Sequence, residues 1–403
     1  MKYLNPQLPL EKQLQAQIYN ALQGDVVNFV QKYCEDNMED ILYKSMMEGS
    51  SMKIDEVVMG DLYKLCMDVK ARLGFEEPVD FYITGSSEIN AWAHASKEPG
   101  KPHFVNIYSA LYKMLDEDEL RCVIGHELGH LMNHDTELAR LVSFVYPGGF
   151  ETMPVALRFK FGLELQLREL VADRYGYLAC GNLNACVTSD FKLSSGLDLM
   201  KMGVKVEDLL AKNEKSLDFF INGGGISKGT HPVQPIRTQA IKLFATCQSE
   251  EELEKAMEPL LQIILKSGAN PMDPPMSIFL ATAGIIAARI DGEVKKEEYE
   301  HIVANLSASH IFPSNFMEWI MQQDVEQLFI KSVNDLIEQS PTIRPGLLQY
   351  MIEMIIADRE IQEKEVNFIY NIGQQLGLTV KEISQLFAAI IQRYYTPSLS
   401  SLD

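Results

Sequence analysis

The stretch Val123-Ile-Gly-His126-Glu127-Leu-Gly-His130-Leu-Met-Asn-His134, with the answering segment Arg168-Glu169-Leu-Val-Ala-Asp173, decides how the rest of this chain is read. Two histidines four residues apart on a helix stand one turn apart on one face, where both imidazoles reach a single ion. Glu127 sits beside the first histidine and reaches a water on that ion without ligating it. The helix itself is legible. Asp116 is the expected N-cap, Glu119 completes a capping box, and Leu120, Ile124, Leu128 and Leu131 form an apolar stripe at helical spacing. The stripe faces the core and leaves His126, Glu127 and His130 turned toward a cleft.

A catalytic zinc ion takes three protein ligands and keeps its fourth position for water or substrate. One known pattern needs glycine at 133 and histidine at 136, and the chain has Asn133 and Thr136. The other takes a glutamate from a following helix. Glu169 and Asp173 lie in a strongly helical run over 163–178, which makes Glu169 the third ligand. Asp173, one turn further on, is placed to hydrogen-bond the far nitrogen of a histidine ligand and fix its tautomer. Ala172 and Gly176 are small, which suits two helices approaching closely. His94, His103 and His134 read as core or surface histidines, because the ligand set is complete without them.

Four ordered motifs then carry a resemblance: HELGH at 126–130, ELVAD at 169–173, Asn90-Ala91 upstream, and Thr230-His231-Pro232 with Arg237 six residues after the histidine. Together, over roughly 56–245, they resemble the HtpX-like gluzincin peptidases, the family that also contains the CAAX prenyl proteases. The resemblance implies one zinc ion per chain on His126, His130 and Glu169, with Glu127 as general base. It also implies that His231 lies across the cleft to stabilise an oxyanion and that Arg237 orients that loop. HtpX and the prenyl proteases carry several membrane spans, whereas the longest apolar run here, 278–288, is too short to cross a bilayer.

The formal net charge of −20 argues against nucleic acid or an anionic membrane surface as a standing partner, since either needs a basic patch. The N-terminus has no apolar core long enough for a signal peptide, and cysteines 34, 66, 122, 180, 186 and 247 show no framework spacing, so a cytoplasmic setting is expected.

The expected layout is an N-terminal helical segment (1–55), an α+β zincin-type peptidase domain, mostly helical with a small sheet (56–250), a linker (251–275), an all-α domain (276–395) and a tail (396–403). Within the peptidase part, 57–73 reads as a helix and 79–84 and 103–108 as strands. An exposed strand edge near the zinc would hold a peptide by adding it as one more strand, through 103–108 or through the backbone at Asn90 and Ala91. The segment between His130 and Glu169 contains Tyr146-Pro-Gly-Gly149 and Pro154 and is expected to form a loop at the rim. The glycine-rich run 222–230 lacks the marks of a phosphate loop and reads as a mobile approach to His231. Beyond the linker, Asp291-Gly-Glu293-Val and Asp358-Arg-Glu360-Ile form a weak repeat resembling the TerB-like helical domain, with helix capping rather than calcium as its account.

The reading that follows is a soluble zinc-dependent endopeptidase acting on protein or peptide substrates, with 276–395 binding a regulatory partner or controlling access. The rival is a regulatory binding protein that keeps zinc as a structural element and works through its helical domain.

Overall fold

The computed structural model describes residues 4–22, 24, 27–28, 38–98, 100–149, 153, 155–221, 231–266, 273–290, 319–320, 322–356 and 361–394. Helix α1 (Pro9–Ala21) starts with proline in its first turn, where the missing N–H costs nothing, and buries Leu10, Leu14 and Ile18. Helix α2 (Met38–Ser50) leads into β1 (Met52–Lys53). Helix α3 (Gly60–Leu73) starts later than the periodicity implies. The Asp55 carboxylate accepts the N–H groups of Val57 and Val58, and Met59 adopts φ 62, so the chain turns before it coils.

Strands β2 (Val79–Thr84), β3 (Ala91–His94) and β4 (His103–Tyr108) complete a sheet of order β1-β2-β4-β3. Strand β4 runs parallel to β2, from Val79 opposite His103 to Thr84 opposite Tyr108, and antiparallel to β3, with Ala91 opposite Ile107. This overturns 103–108 as an exposed edge, because β4 is flanked on both sides and buried along almost all its length. Among the described residues the edges are β1 and β3, and β3 is the one beside the cleft. Its four residues, Ala-Trp-Ala-His, are too few and too poor in β-branched side chains to announce a strand.

Helices α4 (Ser109–Met114) and α5 (Glu117–Met132) follow. The expected capping box is present: the Glu119 N–H donates to Asp116 at 3.0 Å, and the Asp116 N–H donates to the Glu119 carboxylate at 2.9 Å. Then come α6 (Asp135–Val145), α7 (Val155–Cys180), α8 (Leu183–Ser195), α9 (Val206–Ile221), α10 (Gln234–Thr246) and α11 (Glu250–Lys266). Most of the expected rim loop is therefore helical, and α11 occupies much of the expected linker, with Leu253, Met257 and Leu260 built into the core beneath α7 and α10.

Helices α5 and α7 pack with their backbones in contact. A Cβ at Gly125 would lie 2.4 Å from the Ala179 Cβ, and one at Gly176 would lie 2.7 Å from the Cys122 carbonyl oxygen. Only glycine fits either position. One core joins α5 to the sheet and α3 through Leu65, Val69, Phe81, Val105, Ile124 and Leu128. A second joins α7 to α1, α10 and α11 through Leu14, Leu167, Val171, Ile236 and Ile264.

The remaining described helices, α12 (Asp273–Ala288), α13 (Val325–Gln339), α14 (Arg344–Ile355) behind a 3-10 turn, α15 (Glu363–Gln375) and α16 (Val380–Tyr394), share a separate core built on Phe279, Leu347, Tyr350 and Ile383. The glycine-rich run 222–230, the first repeat copy and the Asp358-Arg-Glu360 of the second lie outside the described residues. Among the described residues, no helix is long and apolar enough to cross a membrane.

Candidate metal centre

Helix α5 offers His126 and His130 on one face, and α7 crosses it so that Glu169 meets them. The two Nε2 atoms stand 3.1 Å apart, with Glu169 Oε2 3.5 Å from the first and Oε1 3.7 Å from the second. Each ring is held from behind by a carboxylate. His126 Nδ1 is 2.9 Å from Asp173, and His130 Nδ1 is 2.7 Å from Asp135. With each Nδ1–H donated to its carboxylate, both Nε2 atoms present lone pairs to the same point.

That arrangement calls for a cation, a metal ion or a proton, at the point where they meet. The two Nε2 atoms and the buried Glu169 carboxylate converge on it, and Glu169 Oε2 makes no close hydrogen bond among the described residues, with its nearest donors at 3.4–3.5 Å. Burial by itself would lower the His126 imidazolium, but the Asp173 and Glu169 carboxylates outweigh it and push the group up to about 10. Burial likewise works against charge on Glu169, and His126, His130 and Arg237 overcome it, bringing the carboxyl down to about 2. Two imidazoles and an ionised carboxylate are an ordinary zinc donor set, so the residues present fit that ion.

Arg237, from α10, closes the outer ring. Its Nε donates to Asp173 at 2.9 Å and its Nη2 at 2.6 Å, a two-pronged pair that holds the Asp173 carboxyl below its ordinary range against the effect of burial. The order Arg237–Asp173–His126 thus fixes one ring. Behind the other, Asp135 is almost fully buried and also accepts from the Asn133 side chain at 2.7 Å. The sequence reading missed Asp135. Helix α5 ends at Met132, His134 takes a left-handed φ of 59, and the reversal brings Asp135 back beneath His130. A carboxylate five residues past the second histidine was the available signal, but only the turn gives it meaning. The same turn carries His134 out into solvent beside Glu137, away from the other two histidines.

Glu127, His231, Asn90 and Ala91 line the cleft with the three candidate ligands. The cleft holds about 580 Å³. Among the described residues no side chain pairs with the Glu127 carboxylate, and His231 Nε2 comes within 3.4 Å of Glu169 Oε2. One wall is β3, through Asn90 to Ala93. The Tyr108 N–H donates to the Asn90 carbonyl, so in the alternating antiparallel pattern Asn90 and Trp92 point their backbone groups at β4 while Ala91 and Ala93 point theirs outward. The Ala91 N–H is taken by its neighbour's side chain, Asn90 Oδ1, at 2.9 Å. His94 and His103 lie elsewhere, against Asp40 and Glu77.

Fold and site together describe a helix-borne two-histidine, one-glutamate metal centre in a cleft edged by a strand. Residues 60–244 match the model of Peptidase family M48, which supports that family, of the HtpX and YcaL kind, for this part of the chain. The chain is similar to the plastoglobule-localized metallopeptidase 48 of Arabidopsis thaliana, at 25% identity over 48% of this chain and 59% of that protein. It is also similar to a protease HtpX homolog of Thermoplasma volcanium, at 30% identity over 30% of this chain and 36% of that one. With the metalloprotease YcaL of Escherichia coli it shares 28% identity over 41% of this chain and 61% of YcaL. The chain thus spans less than two thirds of the length of each of these relatives. No solved structure matches it significantly.

Proposed function

We propose that this chain is a soluble zinc-dependent endopeptidase of the gluzincin type, with one zinc ion held by His126, His130 and Glu169. The observation that carries the reading is the convergence of the two Nε2 atoms and the buried Glu169 carboxylate on one point. When bound, zinc supplies Lewis acidity, making water acidic near neutral pH and polarising a carbonyl. The protein's own residues do the rest. Glu127 takes the proton of the attacking water and returns it to the leaving amine. His231 donates to the oxygen on which charge develops. Asp173 and Asp135 keep both imidazoles in the tautomer that ligates, and Arg237 holds Asp173 in place. The outward carbonyls of Ala91 and Ala93 and the N–H of Ala93 bind an extended substrate backbone at the free edge of β3.

A TerB-like helical domain in 276–395, with its own core, is assigned the binding of a regulatory partner. A cytoplasmic setting agrees with the free state of the described cysteines. The rival reading, zinc as a structural element only, gives no role to Glu127, which lines the cleft.

The test is zinc content and casein cleavage measured together. Glu127→Gln is expected to keep its zinc and lose cleavage, and Glu169→Ala to lose zinc. Loss of metal from Glu127→Gln, or full zinc occupancy and activity in Glu169→Ala, would refute the roles assigned.

A further inference from the structure

Three thiols from three helices meet one turn away from the metal centre. Cys122 lies on α5 four residues before His126, Cys180 ends α7, and Cys186 stands in the first turns of α8. Cys186 Sγ is 3.1 Å from Cys122 Sγ and 3.3 Å from Cys180 Sγ, and all three sulfurs fall within 4.8 Å of one another. All three residues are at least nine-tenths buried, at 8%, 7% and 5% exposure, and all are free thiols. Cys122 and Cys186 also line the cleft that holds the His126–His130–Glu169 centre.

We propose that Cys122, Cys180 and Cys186 form a second metal site, for one soft, thiophilic ion of the copper(I) class. Sulfur spacing is the first ground. The contacts are more than an ångström too long for a disulfide, whose bond is about 2.05 Å. Ligands around an ion with metal–sulfur bonds near 2.3 Å are separated by about 3.8–4.0 Å, so the two contacts of 3.1 and 3.3 Å need to open by about 0.5–0.9 Å. Donor count is the second ground. Among the described residues the cluster comprises three sulfurs and no histidine or carboxylate, whereas structural zinc sites are four-coordinate and soft thiolates favour copper(I).

Placement is the third. Gly181, at φ 67, and Asn182, which caps α8 and donates to Asp118 on α5, form the turn that brings Cys180 and Cys186 together. The Asn182 N–H donates to Cys180 Sγ at 3.3 Å, as a backbone N–H does toward a thiolate ligand. Packing by itself has no need of three sulfurs here, since valine or alanine fills such space equally well. Binding releases the proton of each coordinating thiol to solvent, and no oxidant is consumed. An ion there ties α5, α7 and α8 together directly beneath the catalytic residues.

The test uses the full chain, already loaded with zinc, without oxygen, and presented with copper(I) buffered by a chromophoric copper(I) chelator. Elemental analysis after desalting reads both metals. The expected result is one copper per chain with zinc unchanged in the wild type, an all-sulfur copper shell by X-ray absorption, and loss of that copper in Cys186→Ser and in Cys180→Ser separately. The second variant decides alone if the first does not fold, because Cys180 closes a helix end rather than the inner packing of α8. Three results overturn the proposal. They are no copper retained by the wild type, equal copper in wild type and variants, or copper gained one for one against zinc.

Discussion

Replacing Asp135 by asparagine keeps the side chain's shape and removes its charge, and the structure gives it no comfortable orientation. The carboxylate accepts twice, from His130 Nδ1 at 2.7 Å and from the Asn133 side-chain amide at 2.7 Å. An asparagine that offers its oxygen to His130 turns its own NH2 against the Asn133 NH2, donor to donor. The flipped asparagine donates to His130 Nδ1 and drives the imidazole proton to Nε2, the atom that faces the metal. Either way one buried partner is lost at a site that is 2% exposed. Losing such a backing carboxylate lowers metal affinity by about 10- to 100-fold, or about 1.4–2.8 kcal/mol. Competition between Asp135→Asn and a chromophoric zinc chelator measures this directly, with circular dichroism to show that the variant is folded. A folded variant whose zinc affinity stays within about twofold of wild type would refute Asp135 as the support of His130.

Glu11, on α1, accepts from the Asn133 side chain, and burial pushes its carboxyl up to about 7. The folded state therefore keeps a proton that the unfolded chain gives up near 4.5, so this group's contribution is complete below that pH and is lost as pH rises through about 7. Glu11→Gln should match wild type near pH 4 and exceed it at pH 8 by up to about 3 kcal/mol; equal urea midpoints at both pH values would count against this. Gly176→Ala drives a Cβ to 2.7 Å from the Cys122 carbonyl and should destabilise by about 1–3 kcal/mol, read as a fall in urea midpoint. Ala93→Pro removes an outward N–H of β3 while leaving the pairing of Trp92 and His94 with β4 in place. It should raise KM for long peptides several-fold with zinc content unchanged, and an unaltered KM would exclude strand addition at this edge.

The placement of His126, Glu127 and His130 was legible because a single helix fixes it: spacing of four puts two side chains on one face whatever the rest of the chain does. Asp116 and Glu119 announced the start of that helix by the same local logic. Glu169 and Asp173 were legible as one face of a second helix, and the small residues Ala172 and Gly176 as a hint of close packing. All these inferences use contacts within one or two turns of chain, where geometry follows from the backbone itself.

What lay beyond that range was decided by tertiary structure. Asp135 becomes a histidine partner only because a left-handed residue turns the chain back at His134. Strand β3, rather than β4, holds the edge beside the cleft because pairing order depends on which segments meet, and a four-residue strand has too little periodicity to declare itself. Cysteines at 122, 180 and 186 look unrelated along the chain and touch only where α5, α7 and the turn into α8 converge. Sequence fixes which side chains share a helix face, since that follows from 3.6 residues per turn. The long-range packing of those faces decides which of them meet, since it is selected by the burial of the whole core.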